Sequence, residues 1–151
     1  MRIAYIEASW HYDIVKNAHT GFEKTISDYD FGEEMKIDMF RVPGSLEIPL
    51  IAQKLIDTGK FDYIVWTGLV VDGGIYEHRF VGNAILQGLV KISTERRIPV
   101  FSVILTPQIF DENSSADIEK FGSHFIEKWA EAWRAVIQMH ETLKKVESFK
   151  K

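Results

Sequence analysis

Cysteine is absent from all 151 residues of the chain. This excludes a disulfide framework and any reaction that needs a thiolate as nucleophile or metal ligand. A chain without disulfides fits a reducing compartment, and we expect a cytoplasmic protein. Histidine is also scarce, and its five residues form no HExxH pair or similar spacing. We therefore expect no metal site.

Long apolar runs and an excess of positive charge are missing as well. No apolar stretch approaches the length of a membrane span, and the N-terminal segment lacks the charged-then-apolar pattern of a signal peptide. The formal net charge of −4 gives no electrostatic footprint for nucleic acid or for an anionic membrane. We expect neither of them as a partner.

The remaining composition is that of an ordinary globular protein. Hydrophobic residues make up 46% of the chain and charged residues 26%, which supports a packed core and argues against disorder. The length fits one domain. No internal repeat or linker interrupts the chain, and we predict a single domain over residues 1–151.

Apolar patterning alternates between the periods of strands and helices. Strands are predicted over residues 2–8, 35–42, 63–71 and 100–105. Helices are predicted over residues 13–29, 45–57 (with Ser45 as the cap), 78–97 and 121–146, with an irregular stretch over residues 107–120. The run over residues 63–71 is almost wholly apolar, as in a central strand covered on both faces. The alternation predicts an α/β fold whose parallel sheet carries helices on both faces.

The rim formed by the strand ends is the expected place for a ligand. In parallel α/β sheets, ligands lie outside the carboxyl ends of the strands, and Trp10 directly follows the first predicted strand. Its indole is placed to stack on a flat heterocycle. The alternative is that Trp10 caps the core at the strand end, and the residues favour neither.

A glycine turn follows the most apolar of the predicted strands. The run breaks at Asp72-Gly73-Gly74 and restarts as an amphipathic helix that carries His78. A strand that leads through a glycine turn into a helix N-terminus exposes backbone N–H groups and favours an anion. Histidine on the first helical turn is placed to move protons beside a bound phosphate. The alternative is a turn that merely ends the strand, followed by a surface histidine.

Two further features allow a structural and a functional interpretation. Glu47, just after the turn at Pro43-Gly44, either stabilises the first turn of a helix through its dipole or accepts hydrogen bonds from ligand hydroxyls. Lys120, His124 and Lys128 are spaced four residues apart. They form either a solvated helix face or a row that grips a phosphate.

Three motifs, VPGSLEIPL, GLVVDGGIYEHRFV and IPVFSVILTP, resemble lumazine synthases in their order and spacing, and DGGIYEH resembles the type II branch. The resemblance implies a flavodoxin-like three-layer α/β/α sandwich with a four-stranded parallel sheet. It also implies a transferase of riboflavin biosynthesis that uses neither metal nor organic cofactor. This enzyme condenses 5-amino-6-(D-ribitylamino)uracil with 3,4-dihydroxy-2-butanone 4-phosphate to give 6,7-dimethyl-8-ribityllumazine. Its partners would be these small molecules and further copies of itself, as a pentamer or a decamer of two pentamers with active sites at subunit interfaces.

The resemblance also assigns roles to individual residues. His78 would transfer protons. The pyrimidine and its ribityl chain would be bound by Trp10, Ser45, Glu47, Val70 and Val71. The phosphate would be bound by Gly73, Gly74, Ile75 and Lys128, with Lys128 supplied by the adjacent subunit and Lys120 a weaker match.

Several positions depart from the commoner branch of the family. Asp72 replaces an arginine, Trp129 replaces a glycine, and Ser102 replaces an aromatic residue. Glu77 stands where the commoner branch has its histidine, so His78 matches only the type II pattern. The departures at Asp72 and Trp129 keep a second hypothesis open, a catalytically weak lumazine-synthase-like flavin-binding or scaffold protein.

Overall fold

The computed structural model describes residues 1–26 and 34–150. Its centre is a four-stranded, all-parallel sheet in the order β2-β1-β3-β4. The strands are β1 (Arg2–Ala8), β2 (Lys36–Val42), β3 (Tyr63–Leu69) and β4 (Val100–Leu105). This order places β1 and β3 inside the sheet, and the chain leaves them toward opposite edges.

Neighbouring strands end together on one side of the sheet. Ala8 pairs with Val42, and Leu69 pairs with Leu105. Each of these is the last residue of its strand. The loops that follow the four strands therefore start from one edge, which is the edge where parallel sheets bind ligands.

Helices cover both faces of the sheet. They are α1 (Tyr12–Val15), α2 (Asn17–Ile26), α3 (Ile48–Asp57), α4 (His78–Arg96) and α5 (Ser115–Ser148), with a short 3-10 turn at Ser45–Glu47 before α3. Helices α1, α2 and α5 pack on one face, and α3 and α4 on the other. The predicted α/β/α sandwich with a four-stranded parallel sheet is confirmed.

The two central strands send alternate side chains into two cores, because successive residues of a strand face opposite ways. Tyr5 and Val65 enter the core beneath α5, whereas Ile6 and Trp66 enter the core beneath α3 and α4. Trp129 also belongs to the first core, where its ring meets that of Tyr5 edge to face at 4.8 Å. Trp129, which replaces the glycine of the commoner branch, is therefore a core-packing residue.

Most predicted elements agree with the structure to within two residues, but the helix predicted over residues 13–29 does not. It is divided into α1 and α2, and residues 27–29 lie outside the described part of the chain. Asn17 explains the break, because its side-chain amide donates to the carbonyl oxygens of Asp13 (3.2 Å) and Ile14 (3.0 Å). A side chain that takes up the carbonyls of the preceding turn competes with continuation of the helix.

The irregular stretch predicted over residues 107–120 was too long. Helix α5 already begins at Ser115, and the Ser114 hydroxyl caps it by accepting from the N–H of Asp117 at 3.3 Å. Its first turn is mostly polar, so it lacks the apolar spacing that marks the rest of the helix. The helix also continues to Ser148.

The prediction of Ser45 as a helix cap was wrong. The Glu47 carboxylate accepts from the N–H of Gly44 at 2.9 Å and satisfies the start of the turn. The Ser45 hydroxyl instead points inward and makes no hydrogen bond among the described residues. It lies against Gly68 of β3, where a Cβ would collide with it.

Helices α2 and α5 approach closely at Gly21, which yields a prediction about stability. A methyl group at Gly21 would lie 2.6 Å from the carbonyl oxygen of Ile126 and 2.9 Å from its Cα. Because both are backbone atoms, the helices must separate. We expect Gly21→Ala to lower the free energy of unfolding by about 1–3 kcal/mol in urea titrations, despite the higher helix propensity of alanine.

Gly88→Ala is the matched control for this substitution. Gly88 also lies inside a helix, but the nearest atoms to an added methyl group, in Pro49, are 3.4 Å and 3.5 Å away. The control should leave the free energy of unfolding unchanged or raise it. Equal losses in the two variants would contradict the close approach at Gly21.

Candidate active site

Two adjoining cavities open at the carboxyl edge of the sheet, and Asp72 lines both. The His78 cavity, of about 650 Å³, is lined by Asp72, His78, Arg79, Gly82, Asn83, Leu86, Thr106, Gln108 and Ile109. The Trp10 cavity, of about 700 Å³, is lined by Trp10, His11, Val71, Asp72, Gly73, Phe110, Asp111, Glu112 and Asn113. Each is large enough for a small-molecule ligand.

The Trp10 cavity lies where a doubly wound sheet is expected to bind. Its walls come from the loops after β1, β3 and β4. The chain leaves β1 and β3, which are neighbours in the sheet, in opposite directions. Such a switch point leaves a crevice between diverging loops. The structure therefore has a cavity at the rim of strand ends where a ligand was predicted.

Trp10 is 63% exposed and does not cap the core. Its backbone N–H donates to the carbonyl of Pro43 at 3.2 Å, and the N–H of Ser9 donates to Val42 at 2.8 Å. These bonds fix the loop after β1 to the loop after β2. The indole is thus held on an anchored backbone with its ring open to the cavity, which agrees with the stacking interpretation.

Two further aromatic side chains line this cavity: His11, which follows Trp10 at the predicted rim, and Phe110, which the sequence analysis missed. The rings of His11 and Phe110 meet edge to face at 5.3 Å, and the ring of Trp10 lies 6.0 Å from His11. His11 has a left-handed backbone (φ 53°) that turns the chain from β1 into α1. Phe110 lies in the irregular stretch before α5, where no periodic pattern marks a site residue.

His78 is the first residue of α4, and only 7% of it is exposed. Its Nδ1 lies 2.8 Å from Oδ1 of Asp72, and its backbone N–H donates to the same oxygen at 2.5 Å. These two contacts close the loop over residues 72–78. Gly74 within this loop has φ +79°, a conformation that side-chain-bearing residues rarely adopt.

The acid at position 72, which had no explanation in the sequence, has two partners in the structure. The backbone N–H and then the side chain of His78 hold the pKa of the Asp72 carboxyl below its usual value. The carboxylate is therefore ionised wherever histidine chemistry takes place. Its one signal in the sequence is its position, six residues before a histidine at a helix start.

Arg79 is another residue that the sequence analysis missed. It follows His78 on the first turn of α4 and lines the same cavity, together with Asn83 and Gln108. A guanidinium and the N-terminus of a helix both favour an anionic group. The His78 cavity can therefore hold a phosphate and exchange protons beside it.

Not all predicted site residues line these cavities in the described part of the chain. The two cavities bring together Trp10, Val71, Gly73 and His78. Outside both linings lie Ser45, Glu47, Val70, Gly74, Ile75 and Lys128. Ser45 and Val70 are buried at the carboxyl edge, whereas Ile75 is 86% exposed on the glycine loop.

Lys120, His124 and Lys128 do share a face, because α5 begins early enough to include all three. Lys128 pairs with Glu131 at 2.7 Å, and His124 lies 3.8 Å from Glu127. Within one chain this row is a solvated face with its own counter-charges. Ser102 is likewise occupied locally, since its hydroxyl accepts from the N–H of Ile104 at 3.2 Å.

Over residues 1–26 and 34–150, no cluster of three or more acidic or histidine side chains has a geometry suited to a metal ion. In the same residues, no helix is long and apolar enough to cross a membrane.

Comparisons with known proteins identify the family of the chain. The family model for 6,7-dimethyl-8-ribityllumazine synthase matches residues 1–144. A 6,7-dimethyl-8-ribityllumazine synthase from Rhodococcus erythropolis is 46% identical over 143 residues, which cover 95% of this chain and 91% of that protein. The 6,7-dimethyl-8-ribityllumazine synthase 2 of Pseudomonas syringae pv. tomato is 40% identical over 151 residues, 99% of this chain and 85% of that protein. The synthase 2 of Bradyrhizobium diazoefficiens is 41% identical over 134 residues, 89% and 79% of the two chains.

Proposed function

Because the chain belongs to the 6,7-dimethyl-8-ribityllumazine synthase family, we propose that it catalyses the condensation that forms 6,7-dimethyl-8-ribityllumazine in riboflavin biosynthesis. The substrates are 5-amino-6-(D-ribitylamino)uracil and 3,4-dihydroxy-2-butanone 4-phosphate. Inorganic phosphate and water are released. The observation that carries the proposal is the buried imidazole of His78 in a cavity that adjoins the cavity of Trp10.

The two cavities match the two substrates in chemistry. The flat pyrimidine would stack on the exposed ring of Trp10, with Val71 beside it. The phosphorylated ketone would lie in the His78 cavity, near Arg79 and the start of α4. Since the cavities share the wall at Asp72, the amine of one substrate would be held next to the carbonyl of the other. Such proximity supplies much of the acceleration in ordinary carbonyl chemistry.

His78 would serve two proton transfers. The amine attacks the ketone carbon, and the resulting hydroxyl leaves as water when it receives a proton, which gives an imine. Elimination of phosphate then requires removal of a proton from the neighbouring carbon. Imidazole ordinarily accepts and donates protons near neutral pH and can perform both steps.

The phosphate and ribityl contacts would come from several parts of the chain. Gly73 and Gly74 are exposed, and a Cβ built on either meets no atom within 4 Å, so the turn has room for a ligand that their backbone N–H groups would bind. Ile75 would add a third N–H group. At the turn before α3, the backbone of Ser45 and the carboxylate of Glu47 would bind the ribityl chain, while the Ser45 hydroxyl stays buried.

Lys128 would reach the phosphate from an adjacent subunit, which requires a homo-oligomer. A pentamer, or a decamer of two pentamers, is supported by an apolar outer surface on α3 and α4. Gly88 contacts Pro49 where the two helices meet. Four exposed aliphatic side chains lie near this contact: Leu46, Leu50, Leu86 and Val90. Apolar patches of this kind mark protein contacts.

The scaffold alternative is not favoured. It arose from Asp72 and Trp129, and both have structural partners, His78 and the first core respectively. The three relatives named above also carry the name 6,7-dimethyl-8-ribityllumazine synthase or synthase 2.

A rate measurement tests the function. Mixing the protein with both substrates should raise the fluorescence of the lumazine product well above the uncatalysed rate. His78→Ala should lower kcat by about a hundredfold, because the proton carrier is lost while substrate proximity remains. Light scattering should show unchanged assembly. A wild-type rate equal to the blank would refute the function, and an unchanged kcat in the variant would refute the role of His78.

Trp10→Ala tests the stacking role. It should weaken binding of 6,7-dimethyl-8-ribityllumazine by about 2- to 10-fold, the usual worth of one aromatic contact. Trp10→Phe is the matched control and should keep most of the affinity. Fluorescence titration gives both dissociation constants, and an unaltered value for Trp10→Ala would count against stacking.

The assembly is tested by size-exclusion chromatography with light scattering. Five copies of a 17.4 kDa chain give a mass of about 87 kDa, and a decamer gives twice that. Leu86→Glu on the α4 surface should reduce the mass, since a charge would be buried in the contact. A wild-type mass of one chain would contradict the proposal.

A further inference from the structure

We propose that Asp72 is a positioning residue for His78, which keeps the ring proton on Nδ1 and leaves Nε2 as the nitrogen that exchanges protons with substrate. The inference rests on the proposed function. It gives a role to the acid that stands beside a phosphate site, and it names the reacting atom of the imidazole.

The hydrogen-bonding geometry fixes the tautomer. Oδ1 of Asp72 contacts both the backbone N–H and the ring Nδ1 of His78, at 2.5 Å and 2.8 Å. The same contacts lower the pKa of the Asp72 carboxyl, so that this group is ionised at neutral pH. An ionised carboxylate can only accept hydrogen bonds. The 2.8 Å contact therefore requires a proton on Nδ1, and Nε2 carries the free lone pair.

Burial makes this pairing effective in holding the ring. The His78 side chain is 9% exposed, whereas that of Asp72 is 55% exposed. The imidazole is mostly buried, and Oδ1 of Asp72 holds both the backbone N–H and the ring of His78. The proton on one histidine nitrogen is set by the hydrogen bond that the nitrogen makes. Asp72 thus sets the tautomer of a ring that has little freedom to rotate.

The negative charge also serves the proton transfer. When His78 removes a proton from carbon it becomes an imidazolium, and a carboxylate in contact stabilises that charge. Other charged and titratable groups that line the two cavities are Arg79 on α4, His11 before α1, and Asp111 and Glu112 before α5. Among these described groups, the one that hydrogen-bonds to the imidazole of His78 is the carboxylate of Asp72.

A purely structural role would give a different pattern of effects. Asp72 accepts from the first N–H of α4, which stabilises a helix start whether or not His78 is catalytic. The experiment must therefore separate helix capping from control of the ring. Asp72→Asn keeps an acceptor oxygen and loses the charge, whereas Asp72→Ala loses both.

The spectroscopic test uses histidine-selective ¹⁵N labelling of the assembled protein. Two-bond ¹⁵N–¹H spectra distinguish the Nδ1–H and Nε2–H tautomers of histidine. The signals of His78 are assigned as those present in the spectrum of the wild type and missing from that of His78→Ala. We expect the Nδ1–H tautomer in the wild type and in Asp72→Asn, and a shift toward Nε2–H in Asp72→Ala. An Nε2–H tautomer in the wild type would overturn the inference.

The kinetic test compares the same variants with Glu77→Gln. Glu77 is an adjacent exposed carboxylate whose side chain makes no capping hydrogen bond, so this control removes the same charge without removing a contact to the ring. Asp72→Ala should lower kcat about tenfold, less than loss of the imidazole, and leave both KM values within about twofold. Asp72→Asn should recover part of that loss, and Glu77→Gln should match the wild type.

A double variant shows whether Asp72 acts through His78. In the His78→Ala background, Asp72→Ala should cause no further loss of kcat, because coupled residues are not additive. If Asp72→Ala lowers only the unfolding midpoint, and leaves kcat and the tautomer unchanged, Asp72 is a helix cap and the inference is overturned. If the wild type makes no lumazine above the blank, the proposed function fails, and the spectra still test the pairing.

Discussion

The pairing of β1 with β3 is the constraint on which the rest of the molecule depends. Both strands lie inside the sheet, and their alternate side chains fill two separate cores. No face of this ladder is left for a ligand. Binding is therefore confined to the carboxyl edge, where the loops after β1 and β3 diverge and open a crevice. Trp10 and His78, the residues to which we assign stacking and proton transfer, lie in the first of these loops and directly after the second.

One side chain of this ladder, that of Glu7, is a buried carboxylate and therefore needs a cation beside it. Glu7 of β1 is 2% exposed and accepts from Nε and Nη2 of Arg41 on β2, at 2.8 Å and 2.6 Å. Arg41 also donates to the Tyr12 hydroxyl at 2.7 Å and lies over its ring. Removal of Arg41, which is itself half exposed, would leave the carboxylate of Glu7 buried without its cation. The pair thus joins the edge strand and α1 to the centre of the sheet, directly beneath the loop that carries Trp10.

The arrangement of the candidate site depends on the contacts that join the two ends of the loop between β3 and α4. The glycine turn after β3 leaves space around its backbone. The two ends of this loop are joined by Asp72, since one of its carboxylate oxygens contacts both the backbone N–H and the ring of His78. The positive charge that the commoner branch of the family supplies at position 72 is absent here, and Arg79 contributes a guanidinium to the same cavity. The His78 cavity therefore contains the guanidinium of Arg79, which we propose as a partner of the phosphate, and the carboxylate of Asp72, which contacts the imidazole.

Local patterns were sufficient to predict the sheet, most helices, the family and the edge of the sheet at which the two cavities open. Strand and helix periods act over a few neighbouring residues, and the motifs around His78 are contiguous, so both can be read from the chain alone. Contacts that require loop closure and packing could not be read this way. They include the bond from Asp72 to His78, the exposure of Trp10, the burial of Trp129 and the aromatic wall at Phe110. Each is decided by which surface remains open after two cores have formed, and that depends on residues far apart in the sequence.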